Sequence, residues 1–471
     1  MAPQGLPIDD LPLWARLNNV TFTDIKVTNS EGKGFGVISQ KDITTTEDSP
    51  KPTILTVPHN LILNQAAVDE YAKEDRNFRQ LHDTIGRKSP RADILLFLLV
   101  QSSTNPSHAG ISNPWVSYLK FLPTTFPLPT LWTEPERLLL RGTSLEAAVT
   151  AKILALDAEF NHIQDLSSAL PTWNDALWLP PHPITHLDYL RLDALYRSRC
   201  LELPRSGESL VPCIDMLNHS SSATAYYDET SSSVDLHLRP GSVIKAGNEI
   251  TISYGDAKSA AEMLFSYGFI DSHSAGHSLV LPLEALDDDP LAKAKLVAFE
   301  EAPKVRVARN EEGVYEWEAP FVYFMCVNEE DGLEFRVLQD REGGRQLRVF
   351  WFGEDVTDRV GQWEEVIRGC EMEGIFRLRA VTVVQERLRE QLGLTREYEG
   401  VEEGDVRSEC REVVRVLRQV EMSVLEGGIE ALEKQVCLFF SCVRIFLDDR
   451  HVPTVGIRCC ADGVAVSPCL P

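Results

Sequence analysis

The motif Asp215-Met216-Leu217-Asn218-His219-Ser220 is the first candidate for chemistry in this sequence of 471 residues. It follows an apolar stretch, and its adjacent Asn218 and His219 offer hydrogen-bond donors and acceptors in a compact space. Asp215 and His219 could also ligate a metal ion, but no further ligand nearby completes a set, so we expect no metal site. The triplet Asn218-His219-Ser220 also fits a glycosylation sequon, which requires secretion. A plain loop fits the motif as well when it is taken alone.

Two tyrosines that precede glycines follow this motif, in Tyr254-Gly255 and Tyr267-Gly268-Phe269. A single tyrosine at the end of a strand is usually a packing residue with a polar tip. Arg199 lies upstream, near the end of a predicted helix, where the helix dipole alone favours a cation. Each of these residues therefore has an ordinary structural explanation when it is considered singly.

A glycine-rich turn, Glu31-Gly32-Lys33-Gly34-Phe35-Gly36, lies near the N-terminus. Glycines allow a backbone to approach a ligand closely. The turn does not fit a nucleotide-binding P-loop, because no Gly-Lys-Ser or Gly-Lys-Thr follows. It does not fit a dinucleotide fingerprint either, because the next residues predict a strand rather than a helix. Taken alone, it is more typical of a tight β-turn.

Predicted strands lie on both sides of a long helical segment. The patterns of Phe35–Ser39 and Thr53–Val57 predict short strands, and the pattern is helical over residues 60–199. From Leu210 to Tyr254 apolar and polar residues alternate again, which predicts strands, and Asp256–Tyr267 predicts a helix. Structureless connections rarely exceed about 15 residues, so the segment between the strands should be a helical subdomain.

The pattern changes again after about Pro282. Charged segments are followed by long helical patterns, and Glu412–Gln435 predicts an amphipathic helix. A single hydrophobic core rarely grows beyond about 250–300 residues, so a chain of this length favours two domains. We therefore expect a domain boundary near residues 283–300.

Charge and hydropathy restrict the partners of this chain. The formal net charge is −25, which argues against nucleic acid as a direct ligand, because phosphate contacts need a basic surface. The charge favours a basic protein partner, although an acidic soluble surface without a particular partner fits equally well. The N-terminus lacks a signal-peptide pattern, and the longest apolar run, Ile94–Val100, is too short to span a bilayer. We therefore expect no membrane contact and a cytoplasmic or nuclear location.

The ten cysteines include no Cys-x-x-Cys pair, so their spacing gives little support to a zinc site. Without a secretion signal they are expected to be reduced thiols. The group Cys459, Cys460 and Cys469 is the nearest approach to a metal-binding cluster, and its spacing supports that reading only weakly.

The order of these features resembles the SET-domain methyltransferases. The glycine-rich turn and the helical insert are followed by Ser198-Arg199, Asn218-His219-Ser220, Tyr254-Gly255 and Tyr267-Gly268-Phe269, as in that family. The sequence is most similar to the class of the Rubisco large-subunit methyltransferase, which also holds ribosomal-protein lysine methyltransferases and the actin histidine methyltransferase. The resemblance covers residues 10–282 well and residues 283–450 loosely.

The resemblance implies an α+β fold: a SET β-fold in residues 1–282 with a helical insert at about 60–199, and a mostly α-helical, substrate-binding-like domain in residues 283–471. It also implies S-adenosylmethionine as the cofactor. In that family's scheme, the backbone at Lys33, Gly34 and Phe35 would contact the cofactor's methionine portion, Arg199 would pair with its carboxylate, and Asn218 and His219 would hold its amino group and adenine. Tyr254 would be the catalytic tyrosine, and Tyr267 would line the methyl-transfer pore.

The implied function is protein-lysine N-methylation of a non-histone protein such as a ribosomal protein. Histidine methylation on the same scaffold, or a non-catalytic protein-binding module with this fold, fits the same motifs. The sequence departs from the class in two places: Tyr254 and Tyr267 are one residue further apart than usual, and Ser259-Ala260 stands where the class often has Ser-Asn.

Overall fold

The computed structural model describes residues 5–30, 32–46, 51–86, 88–103, 113–255, 257–271, 278–286, 288–310, 312–339, 344–398 and 405–448. The chain forms two compact units. The first comprises Met1–Leu140, Leu145–Ala275 and Glu403–Val413, and the second comprises Arg141–Ser144, Gly276–Glu402 and Val414–Pro471. The three cysteines near the C-terminus, Cys459, Cys460 and Cys469, lie outside the described residues.

The first unit is built on small sheets whose strands come from both sides of the helical insert. Its strands are β1 (Thr21–Phe22), β2 (Ile25–Ser30), β3 (Gly34–Ser39), β4 (Ile43–Thr44), β5 (Thr53–Pro58), β6 (Leu201–Leu203), β7 (Gly207–Ser209), β8 (Asn218–His219), β9 (Ala225–Glu229), β10 (Ser233–Leu238), β11 (Val243–Ile244) and β12 (Glu249–Ile252). Two four-stranded sheets have the strand orders β1-β5-β10-β9 and β2-β3-β12-β8, and the pairs β4-β11 and β6-β7 complete the set. The strands expected on either side of the insert are therefore confirmed.

Strand β12 brings the two candidate motifs together because it lies between β3 and β8. It runs antiparallel to β3, where Ile250 is opposite Val37. It runs parallel to β8, where Thr251 is opposite Asn218 and Ile252 is opposite His219. The motif around Asn218 therefore lies in the same sheet as the strand that follows the glycine-rich turn.

The helical insert supplies most of the remaining core of this unit. Its helix α4 (Pro90–Ser102) is continuously buried from Asp93 to Leu99. The helices of the unit are α1 (Leu11–Leu17), α2 (Gln65–Glu74), α3 (Arg76–Ile85), α4 (Pro90–Ser102), α5 (Pro114–Tyr118), α6 (Glu134–Leu138), α7 (Leu145–Ser168), α8 (Pro171–Trp173), α9 (His186–Arg199) and α10 (Ala260–Tyr267).

Helix α10 begins four residues later than the sequence predicted. Ser259 is its N-cap: the Ser259 side chain accepts a hydrogen bond from the Glu262 N–H, and the Glu262 carboxylate accepts one from the Ser259 N–H. This capping box fixes the first turn at Ala260, so the predicted start at Asp256 is wrong. The helix ends at Tyr267, and its C-cap Gly268 has a left-handed conformation with φ of 82°.

The second unit is richer in strands than its sequence predicted. Its strands are β13 (Ser278–Pro282), β14 (Lys304–Arg309), β15 (Tyr315–Glu318), β16 (Leu333–Gln339), β17 (Arg345–Trp351) and β18 (Glu354–Asp355), in the orders β13-β14-β15 and β16-β17-β18. Its helices are α11 (Ala292–Phe299), α12 (Pro320–Met325), α13 (Trp363–Val366), α14 (Glu373–Glu397) and α15 (Ser408–Asp448), of which α15 starts in the first unit. Helix α15 contains the predicted amphipathic segment. None of the helices in the described ranges combines the length and the apolarity needed to cross a membrane.

Candidate active site

The Asn218 side chain contacts residues from an early and a late part of the first unit's sequence. Its side-chain amide donates one hydrogen bond to the Phe35 carbonyl oxygen at 3.1 Å and another to Glu249 Oε1 at 2.7 Å. The Glu249 carboxylate also accepts from Ser30 Oγ at 3.4 Å and from the exposed Lys33 ammonium at 3.1 Å. The predicted residues Phe35 and Asn218 therefore make direct contact, and Lys33 is tied to the same carboxylate at the surface.

Gly36 allows this close approach. A Cβ atom at this position would lie 2.5 Å from Glu249 Oε1, 2.6 Å from Ser30 Oγ and 3.0 Å from Asn218 Nδ2. Heavy atoms cannot approach so closely without displacement, so a side chain at Gly36 would push Asn218 and Glu249 away from strand β3. By contrast, Gly34 has open space around it and a φ of 78°, which explains a glycine there by backbone conformation alone.

His219 is held beside Tyr254 by the backbone. The Tyr254 N–H donates to His219 Nδ1 at 3.0 Å, so Nδ1 is an acceptor and a neutral ring carries its proton on Nε2. His219 Nε2 in turn lies 3.3 Å from Asp271 Oδ2. The two rings are tilted, with centroids 5.3 Å apart. Tyr254, two residues after the end of strand β12, is thereby fixed against the predicted motif on β8.

The Tyr254 side chain is half-buried and is oriented through its hydroxyl. The hydroxyl donates to the Leu217 carbonyl oxygen at 2.6 Å. Burial raises the pKa of Tyr254 well above its usual value, so the phenol keeps its proton at neutral pH. The ring packs on Tyr267 at a centroid distance of 4.5 Å, and Phe269 lies 6.4 Å from Tyr254. Burial also raises the pKa of Tyr267, to about 12.

Arg199 approaches the site from the end of helix α9. Its Nη1 donates to the Asp215 carbonyl oxygen at 2.5 Å and lies 3.8 Å from Asp215 Oδ2. Burial raises the pKa of the Asp215 carboxyl, and the Tyr118 hydroxyl donates to that carboxyl at 2.5 Å. Arg199 Nε is buried and has no hydrogen-bond partner in the described part of the chain. Asp215 is thus engaged by Arg199 and Tyr118 rather than by His219.

A pocket of about 350 Å³ opens between these elements. Its wall includes three of the predicted residues, Arg199, Tyr254 and Tyr267, together with Asp215 and Tyr227. The other predicted residues do not line it. These residues lie on the neighbouring strands β3 and β8 or in the turn before β3: Lys33, Gly34, Phe35, Asn218 and His219. Of them, His219 contacts the pocket residue Tyr254 directly. In the described ranges, no group of three or more His, Cys, Asp or Glu side chains is arranged to hold a metal ion.

Four residues of the site were not assigned to it from the sequence. Glu249 begins strand β12, where a charged residue is ordinarily solvent-facing, and only the position of Asn218 reveals its contact. Leu217 acts through its carbonyl oxygen, which no sequence pattern encodes. Tyr118 comes from the helical insert and reaches Asp215 across 97 residues of sequence. Phe269 directly follows Tyr267-Gly268, and the aromatic spacing there was a usable signal.

Proteins with similar sequences include SET-domain proteins and protein methyltransferases. SET domain-containing protein 8 of Schizosaccharomyces pombe is 28% identical over 328 residues, 67% of this chain and 70% of that protein. The Rubisco large-subunit N-methyltransferase of Nicotiana tabacum is 27% identical over 274 residues, and an actin-histidine N-methyltransferase of Gallus gallus is 23% identical over 344 residues. The matched segments span about half the length of these last two proteins. No family model matches the chain.

The fold is shared with solved structures. The SET domain of the Rubisco methyltransferase LSMT, solved with methyl-lysine and AdoHcy, superposes with a TM-score of 0.68 at 20% identity. The superposition covers 95% of this chain and 97% of that one. These matches confirm the resemblance stated from the sequence, and they confirm the α+β SET fold.

Proposed function

We propose that this chain, a homologue of the SET-domain methyltransferases, is an S-adenosylmethionine-dependent protein-lysine N-methyltransferase of the cytoplasm or nucleus. Its substrate would be a non-histone protein such as a ribosomal protein. The observation that carries this proposal is Tyr254, a half-buried phenol that is oriented by the Leu217 carbonyl and packed against Tyr267 on the wall of the pocket. Its relatives include lysine and histidine methyltransferases of proteins, which fits a protein substrate.

The residues around the pocket fit S-adenosylmethionine. The buried Arg199 Nε without a partner is available to a carboxylate, and the charge-assisted hydrogen bond would be stronger than a neutral one. The absence of a side chain at Gly36 keeps Asn218 against the backbone of Phe35. Asn218, Glu249 and the Phe35 carbonyl form a polar floor beside strand β3. The backbone at Lys33, Gly34 and Phe35, and the polar atoms of Asn218 and His219, would hold the remaining polar groups of the cofactor.

The chemistry requires alignment more than acid–base catalysis. S-adenosylmethionine supplies a methyl group that is already electrophilic because it is bonded to a sulfonium. The Tyr254 hydroxyl donates its hydrogen bond to the Leu217 carbonyl oxygen, so the lone pairs of the hydroxyl oxygen are left to accept weak C–H contacts, each worth about 0.5–1 kcal/mol. Fixing the methyl group and the nucleophile in line by proximity can contribute roughly 7–11 kcal/mol.

The target amine must arrive without its proton. A free lysine has a pKa of about 10.4, and burial in an aromatic channel lowers it. Tyr254 and Tyr267 have raised pKa values, so neither supplies a phenolate base at neutral pH. Their part is therefore to enclose and orient the amine, and the proton leaves to solvent before methyl transfer.

Lysine fits the pocket better than histidine. The wall includes Leu201, Ile214, Leu217 and Ile252, an apolar surface that suits the methylene stem of a lysine. A histidine ring would need a polar partner that selects one tautomer. Asp215, one of three carboxyl groups that line the pocket, is already engaged by Tyr118 and Arg199, and the other two, Glu202 and Glu208, are exposed side chains. Methyl-histidine in the product would assign the alternative activity.

The test has two steps on the full-length chain. The first measures thermal stability with S-adenosylhomocysteine, which at about 100 times its dissociation constant should add roughly 2.7 kcal/mol. The second incubates the protein with labelled S-adenosylmethionine and a cell lysate, then locates the labelled residue by mass spectrometry. Tyr254→Phe is the matched control, since it should bind S-adenosylhomocysteine but transfer little label. Absence of both a stability shift and label would support a non-catalytic module instead.

We further propose that the second unit recognises the substrate protein. A lysine side chain alone offers few contacts for recognition, so substrate specificity must come from a surface remote from the reacting atoms. The two-sheet and helix construction of this unit leaves acidic side chains exposed, among them Glu330 and Glu386, and such side chains suit a basic partner.

A further inference from the structure

The β6–β7 hairpin places two carboxylates directly opposite each other at the pocket. Strands β6 and β7 pair antiparallel, with Glu202 opposite Glu208. Both residues line the pocket of about 350 Å³, and both are exposed. Like charges that face each other across two strands destabilise the pair. Within the described residues, neither carboxylate forms an ion pair that would relieve this repulsion.

A buried polar group faces the same place. Tyr196 also lines the pocket and is only 4% exposed, yet its hydroxyl has no hydrogen-bond partner in the described part of the chain. Burial, followed by the nearby Cys200 and Glu208, raises the pKa of Tyr196, so the group remains a neutral phenol. A buried hydroxyl without a partner is rare in native proteins and marks a position where a ligand can bond.

The cations of the pocket wall leave the hairpin uncompensated. Arg199 is engaged by Asp215, and Arg197 is engaged by the fully buried Asp193 at 2.7 Å. Lys258 also lines the pocket, but it lies within 4 Å of neither hairpin carboxylate. The hairpin therefore offers two negative charges and a phenolic oxygen to a cation that enters from outside.

We propose that Glu202 and Glu208 bind an arginine or lysine side chain next in sequence to the residue that is methylated. This inference rests on the proposed methyltransferase function and narrows its substrate to basic segments. An arginine fork carries five N–H donors, enough to bond both carboxylates and the Tyr196 oxygen at once. The repulsion between the two glutamates is then the feature that the bound cation relieves.

The experiment uses the full-length chain and short capped peptides of the form Gly-Ser-X-Lys-X-Ser-Gly, in which X is Arg, Gln or Glu. Binding is measured by thermal shift with saturating S-adenosylhomocysteine, and methylation is measured with labelled S-adenosylmethionine. We expect the Arg peptide to bind about three- to tenfold more tightly than the Gln peptide, because two exposed ion pairs contribute about this much binding free energy. The Glu peptide should bind least tightly. The preference should weaken at high salt.

Two variants distinguish peptide binding at the hairpin from a general effect of the negative charge of the protein. The double variant Glu202→Gln/Glu208→Gln should reduce the Arg-to-Gln preference to about one, and without peptide it should melt no lower than the wild type because a repulsion is removed. Glu74→Gln, an exposed glutamate at the end of α2, should keep the full preference. A retained S-adenosylhomocysteine shift verifies that each variant is folded.

Two results would overturn the inference: equal binding of the Arg and Gln peptides to the wild type, or an unchanged preference in the double variant. The binding measurement decides this even if the peptides are not methylated. Failure of the underlying function has a different signature, because the chain would then show no stability shift with S-adenosylhomocysteine.

Discussion

Arg197 donates a hydrogen bond to the Phe265 carbonyl oxygen at 2.5 Å and places its guanidinium 4.6 Å from the centre of the Phe265 ring. Arg197 lies two residues before Arg199 on helix α9, and Phe265 lies two residues before Tyr267 on helix α10. This contact therefore fixes the spacing between the helices that carry two of the pocket residues.

We expect Arg197 to be a positioning residue, and two substitutions at this position test that role. Arg197→Lys keeps a charge near the buried Asp193 but loses the fork that reaches Phe265, so methyl transfer should fall several-fold with a small loss of stability. Arg197→Leu removes one partner of a buried ion pair and should cost about 3 kcal/mol in the free energy of unfolding. Melting temperature and kcat are measured together. A wild-type kcat in the lysine variant would contradict the positioning role.

Tyr254→Phe should impair turnover while leaving cofactor binding nearly intact. The variant removes the hydroxyl that Leu217 orients but keeps the ring that packs on Tyr267. The lost contacts act mainly in the transition state, so we expect kcat to fall about 10- to 100-fold. The dissociation constant of S-adenosylhomocysteine should change less than about threefold. A near-normal kcat would transfer the catalytic role to Tyr267.

Gly36→Ala should weaken cofactor binding. The added Cβ would collide with Glu249 Oε1 and Ser30 Oγ and would press on Asn218 Nδ2, so the polar floor beside strand β3 must shift. We expect the dissociation constant of S-adenosylhomocysteine to rise about tenfold or more, corresponding to about 1.4 kcal/mol. Gly374→Ala is the matched control, because nothing lies within 4 Å of a Cβ there. Equal affinities for both variants would remove Asn218 from the cofactor site.

From the sequence it could be predicted which residues lie close together, but not which strand pairings bring them together. The alternation around Ile250 and Ile252 predicted strand β12, yet its parallel partner β8 is only two residues long and has no periodicity of its own. Pairing between Thr251 and Asn218 is set by tertiary packing, which a pattern along the chain does not contain. The resemblance to a known family, rather than periodicity, supplied that link.

The strands of the second unit were missed for a different reason. In β14, Val305 and Val307 are buried and alternate with the exposed Lys304 and Arg306 and the half-buried Ala308, which is a usable signal in Lys304–Arg309. The sequence-based prediction took into account only the charge of this region and the helical patterns that follow it. Strand β16 carries only one buried residue, Leu333, so its pairing with β17 is not visible in the hydrophobic pattern.

Glu421 should make the second unit less stable as the pH rises. Burial raises the pKa of this carboxyl from 4.5 to about 7, although it accepts hydrogen bonds from the Ser144 N–H and hydroxyl and lies near Arg418. The folded state therefore binds the proton more tightly than the unfolded state does. The stabilisation is complete below about pH 4.5 and is lost as the pH rises to about 7, by about 3 kcal/mol at most.

Hydrogen exchange in helix α15 measures this effect at pH 5 and pH 8, after correction for the intrinsic exchange rates. Glu421→Gln keeps an oxygen that can accept from Ser144 but cannot ionise, so its protection should depend much less on pH than that of the wild type. The exposed Glu386→Gln should behave as the wild type. An equal pH dependence in all three proteins would assign the effect to other groups.

The last prediction concerns substrate recognition by the second unit. Glu330, Glu354 and Glu386 are exposed in this unit and form no ion pair with another described residue. If a basic substrate protein docks here, reversal to Lys at the contacted positions should raise KM for the intact protein about two- to tenfold, with a smaller effect at high salt. The substrate is the protein identified by labelling, and a short peptide around its methylated residue serves as the comparison.

The peptide separates docking from support of the fold. The peptide is too short to need the docking surface, so its kcat/KM should stay at the wild-type value in each Glu→Lys variant. The corresponding Glu→Gln variants should raise KM for the intact protein by a smaller factor. A purely structural unit gives another pattern: both substrates lose activity in parallel, and the melting temperature falls with them. Binding energy from a docking surface acts only on the intact protein, and it can be lost without any change at Tyr254. A higher KM for the intact protein with an unchanged kcat/KM for the peptide is therefore the specific signature of a docking surface.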